Sequence, residues 1–312
     1  MSLPISIGVV GLGKIAIDQH LPALRADPNF RLTAGVNPHL SDAGLPEYTG
    51  LEAMFEAHPD IRAVSLCTPP QVRYELAKTA LDHGKHVFLE KPPGATLSEV
   101  GRLRQRAEDA GVTLFASWHS RFAAGVSSAR DWLKTRKLQS VRVDWREDVR
   151  RWHPGQSWIW APGGLGVFDP GINALSIATD ILPSALILKS AHLEFPENWD
   201  APIGADLSFV CEDGAIGTAA LDWRQEGPQT WDIAVETTDG SLRLSDGGAR
   251  LMINGSPVQT AAVSEYSGLY GRFAELIARG RSEVDVRPLQ LVADAFLIGQ
   301  RMSTASFYDQ GA

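Results

Sequence analysis

The chain has 312 residues, of which 44% are apolar and 21% are charged, and its formal net charge is −8. This composition is typical of a globular protein with one large domain or two ordinary ones, and the acidic balance disfavours nucleic acid and anionic membranes as partners. Its two cysteines form no disulfide framework, no apolar run approaches the ~20 residues of a membrane helix, and the N-terminus lacks a signal-peptide pattern. We therefore expect a cytoplasmic protein.

Strand-like and helical patterns alternate along the first 116 residues. Apolar, β-branched runs predict strands, and the stretches between them predict amphipathic helices. The strands are expected at 4–10, 31–36, 63–68, 85–90 and 113–117, and the helices at 14–26, 51–57, 71–83 and 97–110. Such alternation implies parallel strands joined by right-handed crossovers, so residues 1–120 are predicted to form an α/β Rossmann domain with a doubly wound parallel sheet.

The pattern changes after residue 120. A helix (124–135) leads into a long strand (139–148), and residues 186–260 alternate between strands and turn sequences. Two helices are expected at 267–279, where Gly280 is the expected C-cap, and at 288–306. Residues 121–312 are therefore predicted to form an α+β domain with a mainly antiparallel sheet.

The stretch VVGLGKIA places a Gly-x-Gly-x-x-Ala pattern directly after the first strand and at the start of a helix. The first glycine permits the tight turn, the second lets the backbone approach a pyrophosphate, and the alanine allows close packing of helix on strand. A glycine-rich turn that serves packing alone is the alternative. The dinucleotide contacts expected in this loop are Gly11, Gly13, Lys14, Ile15 and Ala16.

The second strand ends at Asn37, with His39 two residues on, where a strictly NAD-specific site usually carries Asp or Glu. Asn37 can bond the ribose without repelling a 2′-phosphate, and His39 could lie against the adenine or that phosphate. This pattern favours NADP, or use of both NADP and NAD, over strict use of NAD. The alternative is a neutral turn, with selectivity decided elsewhere in the chain.

Two further loops follow strands of the same sheet. Thr68, Pro69 and Gln71 follow the third strand, and Glu90 and Lys91 end the fourth, ahead of Pro92. Ligands of open α/β sheets bind at the carboxyl ends of the strands, so these residues are candidate cofactor contacts, and Lys91 is also a catalytic candidate. The alternatives are a plain loop and a solvated lysine.

Residues outside the cofactor loops form another candidate set. Asp169 and Asn173, in FDPGIN, are four residues apart and share one face of a predicted helix. They are either a proton-handling pair or, for Asp169, a simple N-cap followed by a proline at the first helical position. His119 follows the fifth strand, and Trp152 and His153 lie in the loop RRWHPGQ between the two predicted domains. Structural roles are the alternatives for all three, and Trp158 and Trp160 are expected to pack.

The Gly-x-Gly-x-x-Ala loop, the CTPP stretch, the motif Glu90-Lys91-Pro92 and the GG…DPG segment together resemble the Gfo/Idh/MocA oxidoreductase family. The resemblance implies a Rossmann domain plus an α+β domain for substrate binding and oligomerisation. The open-faced sheet of this second domain (121–312) would form a homodimer, with Lys91 in the catalytic site and Glu90 near the cofactor. The stretches 147–160, 163–176 and 285–296 are similar to the bacterial L-arabinose and D-galactose 1-dehydrogenases of that family. Asn173, where many members carry His, agrees with this aldose group and differs from inositol-type enzymes.

The resemblance implies oxidation of an aldose at C1 to the aldonolactone with NADP or NAD. In this reaction Asp169 would be the base, Lys91 would stabilise alkoxide character at O1, and Asn173 would bond a sugar hydroxyl or orient the carboxylate. His119, Trp152 and His153 would contact the sugar. The alternatives are a polyol or inositol-type dehydrogenase and a non-catalytic dinucleotide-binding sensor. The histidines show no metal-ligand spacing, so no metal is expected.

Overall fold

The computed structural model describes residues 3–39, 43–261 and 264–308. The chain divides into two compact units. The first comprises Met1–His119 and Ser264–Val286, and the second comprises Ser120–Val263 and Arg287–Ala312. Residues 264–286, which the sequence analysis assigned to the second domain, thus belong to the first unit.

The first unit contains a six-stranded parallel sheet in the order β3-β2-β1-β4-β5-β6, the Rossmann arrangement expected from the sequence. Its strands are β1 Ile5–Val10, β2 Phe30–Val36, β3 Glu47–Tyr48, β4 Ala63–Leu66, β5 His86–Leu89 and β6 Leu114–Ala116. The helices between them are α1 Leu21–Ala26, which a π-helical turn (Ala16–His20) precedes, α2 Leu51–Ala57, α3 Pro70–Asp82 and α4 Leu97–Asp109.

The central strands of this sheet are buried on both faces. Every residue of β4 is buried, as are all but the first of β1 and of β5. Continuous apolar strands of this kind belong to parallel sheets that helices cover on both sides. At the start of α4, the side chains of Thr96 and Glu99 form a reciprocal capping box, which fixes where this helix begins.

The segment 264–286 completes the first unit. It contains α8 Glu265–Ala278, whose buried aromatic side chains pack on strand residues of the sheet: Tyr270 stacks on Phe88 with centroids 5.0 Å apart, and Phe273 stacks on Phe115 at 6.1 Å. Beyond the helix, Glu283 extends the sheet by hydrogen bonding to the backbone of β6. Aromatic contacts and strand pairing therefore attach this distant segment to the Rossmann sheet.

The second unit is built on a nine-stranded sheet in the order β14-β13-β12-β11-β7-β10-β9-β8-β15. Its pairs are antiparallel except for β10 with β7 and β15 with β8, which confirms the mainly antiparallel sheet. The strands are β7 Leu138–Arg146, β8 Leu186–Pro196, β9 Gly204–Cys211, β10 Ile216–Asp222, β11 Thr230–Thr237, β12 Gly240–Ser245, β13 Arg250–Ile253, β14 Ser256–Val258 and β15 Gln300–Thr304.

Helices cover one face of this sheet. They are α5 Val126–Leu133, the short α6 Val149–Trp152, α7 Phe168–Ile181 and α9 Arg287–Ile298. Along β7, Val141, Val143 and Trp145 are buried, while the alternating Arg142, Asp144 and Arg146 are not. Because side chains alternate between the two faces of a strand, the sheet has one apolar face under the helices and one polar face. This agrees with the open-faced sheet that was expected.

The last predicted helix needs correction. The last helix was expected to reach residue 306, but it ends at Ile298, and Gln300–Thr304 pairs with β8 as a strand. Gly299 separates the helix from the strand. Residues 300–304 pair with the otherwise unpaired edge of β8, and this pairing outweighs their local helical pattern. The C-cap of the preceding helix is Arg279 and not Gly280, which follows it in the left-handed conformation with a φ of +59°. Among the described residues, the helices are all too short or too polar to cross a membrane.

Candidate active site

The glycine loop between β1 and the first helix has the form that a dinucleotide requires. Gly11 has a φ of +86°, and a Cβ atom there would lie 2.8 Å from Thr68 Cγ2. A Cβ at Gly13 would have no protein atom within 4 Å. The first glycine is therefore required by the turn, and the backbone at the second is open to the close approach of a pyrophosphate.

The remaining residues of the loop have separate environments. Ala16 is buried against the sheet, as the third position of the motif predicts. Lys14 forms an exposed ion pair with Asp18 one turn on, and Ile15 is about two-fifths exposed. Ala16 thus serves packing, whereas Lys14 and Ile15 lie at the accessible start of the helix.

Asn37 is tied to the glycine loop. Its Oδ1 accepts a hydrogen bond from the Leu12 amide (3.3 Å), and its Nδ2 donates to the carbonyl of His39 (2.5 Å). The side chain of His39 is exposed. The carboxamide therefore orients the loop, and no carboxylate occupies position 37 to repel a 2′-phosphate.

The loop after β4 lies beside Gly11 and leads into α3. Pro69 is the N-cap residue of α3, and Gln71 lies in its first turn, half-buried. Thr68 Oγ1 is buried and has no hydrogen-bond partner within the ranges that the structure describes. A buried hydroxyl of this kind beside a glycine loop suits a bound cofactor that supplies its partner.

Glu90 and Lys91 follow β5 at the same edge of the sheet. The Glu90 carboxylate is buried, accepts a 2.7 Å hydrogen bond from the Tyr266 hydroxyl and faces His20 Nε2 at 3.3 Å. Burial alone would raise the pKa of Glu90, but the close contact with His20 and its charge, with the charges of His119 and Lys91, lower that pKa to about 2. Glu90 is therefore a permanent buried anion directly before Lys91.

His119 follows β6 in the first unit. Its Nδ1 is 2.6 Å from Glu265 Oε2, and its ring stacks on Tyr266 with centroids 5.6 Å apart. The start of α8 thus supplies both Glu265, which contacts His119, and Tyr266, which contacts Glu90. These contacts orient the imidazole, and neither Glu265 nor Tyr266 was expected from the sequence.

Asp169 lies in the first turn of α7 in the second unit. The helix begins one residue earlier, at Phe168, with Val167 as its N-cap, so the interpretation of Asp169 as the N-cap, with Pro170 at the first helical position, is wrong. The segment Leu165–Val167 turns through Gly166, and the Val167 amide bonds the carbonyl of Pro202, which places the helix start early. Asp169 is therefore a carboxylate with 2% exposure that does not serve as a cap.

His153 stands between two carboxylates. Its Nε2 is 3.6 Å from Asp169 Oδ2 and 3.8 Å from Glu147 Oε1, and its Nδ1 is 3.4 Å from Gln156 Oε1. The Nε2 atom of His153 therefore lies between the carboxylates of Asp169 and Glu147. The structure thus brings together His153 and Asp169, which were predicted separately.

Glu147 was missed by the sequence reasoning. The carboxylate is buried, and the indole N–H groups of Trp223 (3.2 Å) and Trp231 (3.0 Å) donate to its two oxygens. Its position at the end of β7, directly before the loop that carries His153, was the available signal, but the tryptophan partners are far along the chain. Two indole donors orient this carboxylate, and each of its oxygens can still accept a further hydrogen bond.

The remaining candidates of the second unit are Trp152 and Asn173. Trp152 is partly exposed, and its ring is tilted against Trp231 with centroids 5.5 Å apart. Asn173 is half-buried on α7, one turn after Asp169. Trp160 is fully buried and stacks on Trp199, so its expected packing role is confirmed.

No group of three or more His, Cys, Asp or Glu side chains able to hold a metal ion occurs in residues 3–39, 43–261 and 264–308. The dinucleotide-binding features lie in the first unit. Asp169, Glu147 and His153 lie in the second.

Comparisons with known proteins agree with this division. Residues 5–117 match the model of an oxidoreductase family with an NAD-binding Rossmann fold, Gfo/Idh/MocA. A galactose 1-dehydrogenase of Pseudomonas fluorescens is 44% identical over 306 residues, which cover 98% of this chain and 99% of the relative. The crystal structure of a D-galactose-1-dehydrogenase from Rhizobium etli is 54% identical, covers 99% of both chains and superposes with a TM-score of 0.94.

A 3-ketoreductase from Actinomadura kijaniata, solved with NADP and TDP-benzene, is 20% identical and has a TM-score of 0.84 over 96% of this chain. At this identity the likeness shows the fold alone. Similarity along the whole chain, together with the matched Rossmann domain, shows that the chain is an oxidoreductase that belongs to the Gfo/Idh/MocA family.

Proposed function

We propose that the protein is an NAD(P)-dependent aldose 1-dehydrogenase, which oxidises C1 of D-galactose, L-arabinose or a related aldose to the aldonolactone. The observation that carries this proposal is similarity over nearly the full chain, at 44% and 54% identity, to two enzymes named for oxidation of galactose at carbon 1. The buried acids and partly exposed indole of the second unit support a sugar as the substrate.

The reaction removes a hydride from C1 and a proton from the C1 hydroxyl, so that O1 becomes the carbonyl oxygen of the lactone. A bound nicotinamide supplies the hydride acceptor. Asp169 is the proposed base that takes the proton, since its carboxylate is buried, does not cap its helix, and has His153 Nε2 at 3.6 Å. His153, with Glu147 behind it, offers a route for that proton away from Asp169.

The other site residues bind and orient. Lys91 is the proposed cation that stabilises negative charge on O1 as the proton leaves, and Asn173 is the proposed partner of a sugar hydroxyl. His119, His153 and Trp152 are proposed sugar contacts: the two imidazoles can bond hydroxyls, and the indole offers a flat apolar face to the C–H side of the ring. Glu147 joins this set because its Oε1 lies 3.8 Å from Nε2 of the same histidine.

The proposed cofactor is NADP, or NADP and NAD alike. Asn37 places a neutral carboxamide where an acid would repel a 2′-phosphate, and the exposed His39 can lie against the adenine or that phosphate. The proposed backbone contacts are Gly11, Gly13, Lys14, Ile15 and Ala16, and the proposed loop contacts are Thr68, Pro69, Gln71 and Glu90.

The proposed assembly is a homodimer formed through the polar face of the nine-stranded sheet. Ile187, Val210 and Ile216 are cross-strand neighbours on that face, and Ile187 and Ile216 are exposed. An apolar row of this kind amid charged side chains is typical of a surface that another sheet covers.

The proposal is tested by reduction of NAD+ and NADP+ across a panel of aldoses and polyols, with the product identified as a hydrolysable lactone. Galactose, arabinose or a similarly configured aldose should give the highest kcat/KM. Asp169→Ala and Lys91→Met should each lower kcat at least 100-fold, because each removes a group that acts on O1, while the Kd of the dinucleotide changes little.

Asp180→Asn is the matched control, since Asp180 lies on the same helix but pairs with Arg130 at the surface (3.0 Å), and its kcat should equal that of the wild type. Absence of turnover with every aldose would exclude the proposed function, and oxidation of a polyol without lactone would favour the polyol dehydrogenase. Activity of either active-site variant within tenfold of wild type would refute its assigned role.

A further inference from the structure

The backbone of Lys91 is held by the side chain of the residue before it. Glu90 Oε2 accepts a hydrogen bond from the Lys91 amide, while Oε1 accepts from the Tyr266 hydroxyl (2.7 Å) and faces His20 Nε2 (3.3 Å). The carboxylate and the His20 ring are almost completely buried. Both oxygens of one buried anion are therefore engaged, one by the backbone of Lys91 and one by two distant side chains.

One hydrogen bond, at Nδ1, and one close ionic contact, at Nε2, indicate that His20 is a cation. Tyr270 donates its one proton to Ser65 Oγ (2.9 Å), so its oxygen accepts from His20 Nδ1 at 2.7 Å. The other ring nitrogen then faces the Glu90 carboxylate, where only an N–H is electrostatically favourable. His20 thus carries protons on both nitrogens and neutralises Glu90.

A second buried cation holds the same segment from its carbonyl side. The guanidinium of Arg73, which is 2% exposed, donates to the backbone oxygen of Glu90 (2.5 Å) and to those of Pro92 and Thr68. The backbone on either side of Lys91 is therefore fixed at its amide by Glu90 and at the flanking carbonyls by Arg73.

A core of this size does not need an ion pair for its stability. Buried ion pairs are often no more stabilising than apolar residues of similar volume, because both ions lose their hydration. Three elements nevertheless supply the ring, the hydroxyl and the guanidinium that converge on Glu90 and its neighbours: the turn after the glycine loop, α8 and α3. The convergence of these buried groups on Glu90 is explained if their role is to fix the position of Lys91.

We propose that His20 and Tyr266 are positioning residues, which hold the Glu90 carboxylate and through it fix where Lys91 presents its ammonium group. This inference rests on the proposed function of Lys91 in sugar oxidation. Tyr266 sets the position of the carboxylate by a hydrogen bond, and His20 sets the local charge. Loss of either displaces Lys91 or changes the field at its amine without removing a group that touches substrate.

The test uses Tyr266→Phe and His20→Gln in the full-length protein. Both should lower kcat at least tenfold while KM for the aldose and Kd for the dinucleotide stay within threefold of wild type. Competitive acetylation at a fixed pH, followed by mass spectrometry, gives a readout that needs no turnover. In His20→Gln, Lys91 should react at least threefold more slowly relative to the exposed Lys137, because loss of the nearby positive charge favours the protonated amine.

Tyr48→Phe is the matched control, since it also removes a tyrosine–histidine hydrogen bond in the first unit (3.0 Å to His58) but does not contact Glu90. It should leave kcat and the acetylation of Lys91 unchanged. If His20→Gln does not fold, Tyr266→Phe, which removes one oxygen atom, decides the question through separate measurement of kcat, which should fall, and KM, which should not change.

A lower Tm with kcat and Lys91 acetylation at wild-type values would show a purely structural network and overturn the proposal. Lack of aldose turnover by the wild type would refute the proposed function instead. The acetylation of Lys91 would still report whether His20 and Tyr266 act on it.

Discussion

His20 and Glu90 form a buried ion pair whose members respond to pH in opposite directions. Burial disfavours the imidazolium, but the interactions of His20 with Cys67, Tyr270 and Glu90 outweigh it and raise the pKa of His20 well above its ordinary value. The pKa of Glu90 is lowered to about 2. The stabilisation by Glu90 is complete above pH 4.5 and lost as the pH falls towards 2, whereas that by His20 is complete below pH 6.5 and lost as the pH rises through its raised pKa.

The double variant His20→Gln/Glu90→Gln should therefore have a flatter dependence of stability on pH. Between pH 5 and pH 3 the wild type should lose about 2 kcal/mol more of its free energy of unfolding than the double variant does, given about 1.4 kcal/mol per pKa unit. Urea unfolding at the two pH values measures the difference. Glu56→Gln, on the exposed side of α2, should retain the wild-type loss, and equal losses in wild type and double variant would contradict the ion pair.

At the scale of elements, the start of α7 depends on the backbone of Gly166. This residue has a φ of +54°, and a Cβ there would lie 2.3 Å from the carbonyl oxygen of Pro202. The turn lets the amide of Val167 bond that carbonyl (2.7 Å) and begins the helix at Phe168, so that Asp169 enters the first turn. One glycine thus decides where the proposed base stands.

Gly166→Ala should destabilise the protein by more than about 4 kcal/mol, because the left-handed conformation alone costs about 1–2 kcal/mol and the backbone must also move. Gly255→Ala provides a matched comparison: its φ is +76°, and a Cβ there meets no atom within 4 Å. That variant should lose only about 1–2 kcal/mol. Thermal unfolding of both measures the difference, and equal losses would show that the contact with Pro202 is unimportant.

At the scale of the whole molecule, the described helices of the second unit lie on one face of its nine-stranded sheet. Its other face combines alternating Arg and Asp side chains of β7 with the apolar row of Ile187, Val210 and Ile216. Charged residues keep such a face from aggregating, and burial of the apolar row would favour association with a second copy of the chain. The proposed homodimer is therefore argued from the sheet, independently of the active site.

Sedimentation velocity should show a dimer for the wild type and a larger monomer fraction for Ile187→Glu/Ile216→Glu, since two buried carboxylates would oppose association. Leu297→Glu is the control, because Leu297 is 81% exposed on α9 rather than on the open face, and it should remain dimeric. A monomeric wild type, or a double variant that dimerises as well as the wild type, would refute the assembly.

The sequence by itself determined the local structure and most of the candidate residues. Strand and helix periods, the glycine loop and the Glu90-Lys91-Pro92 motif are encoded by neighbouring residues, so the Rossmann sheet and its binding edge were predictable. The family followed from the same motifs. Neither the last helix end nor the first turn of α7 could be placed correctly, because strand pairing with β8 and the contact of Gly166 with Pro202 decide them.

Only the tertiary structure decided which distant residues meet. Tyr266 reaches Glu90 across 176 positions, and Trp231 reaches Glu147 across 84. No spacing in the chain encodes such pairs, since they depend on where α8 and β11 pack. Tertiary packing, and not a local sequence pattern, therefore determines the attachment of residues 264–286 to the Rossmann unit and the buried ion pair next to Lys91.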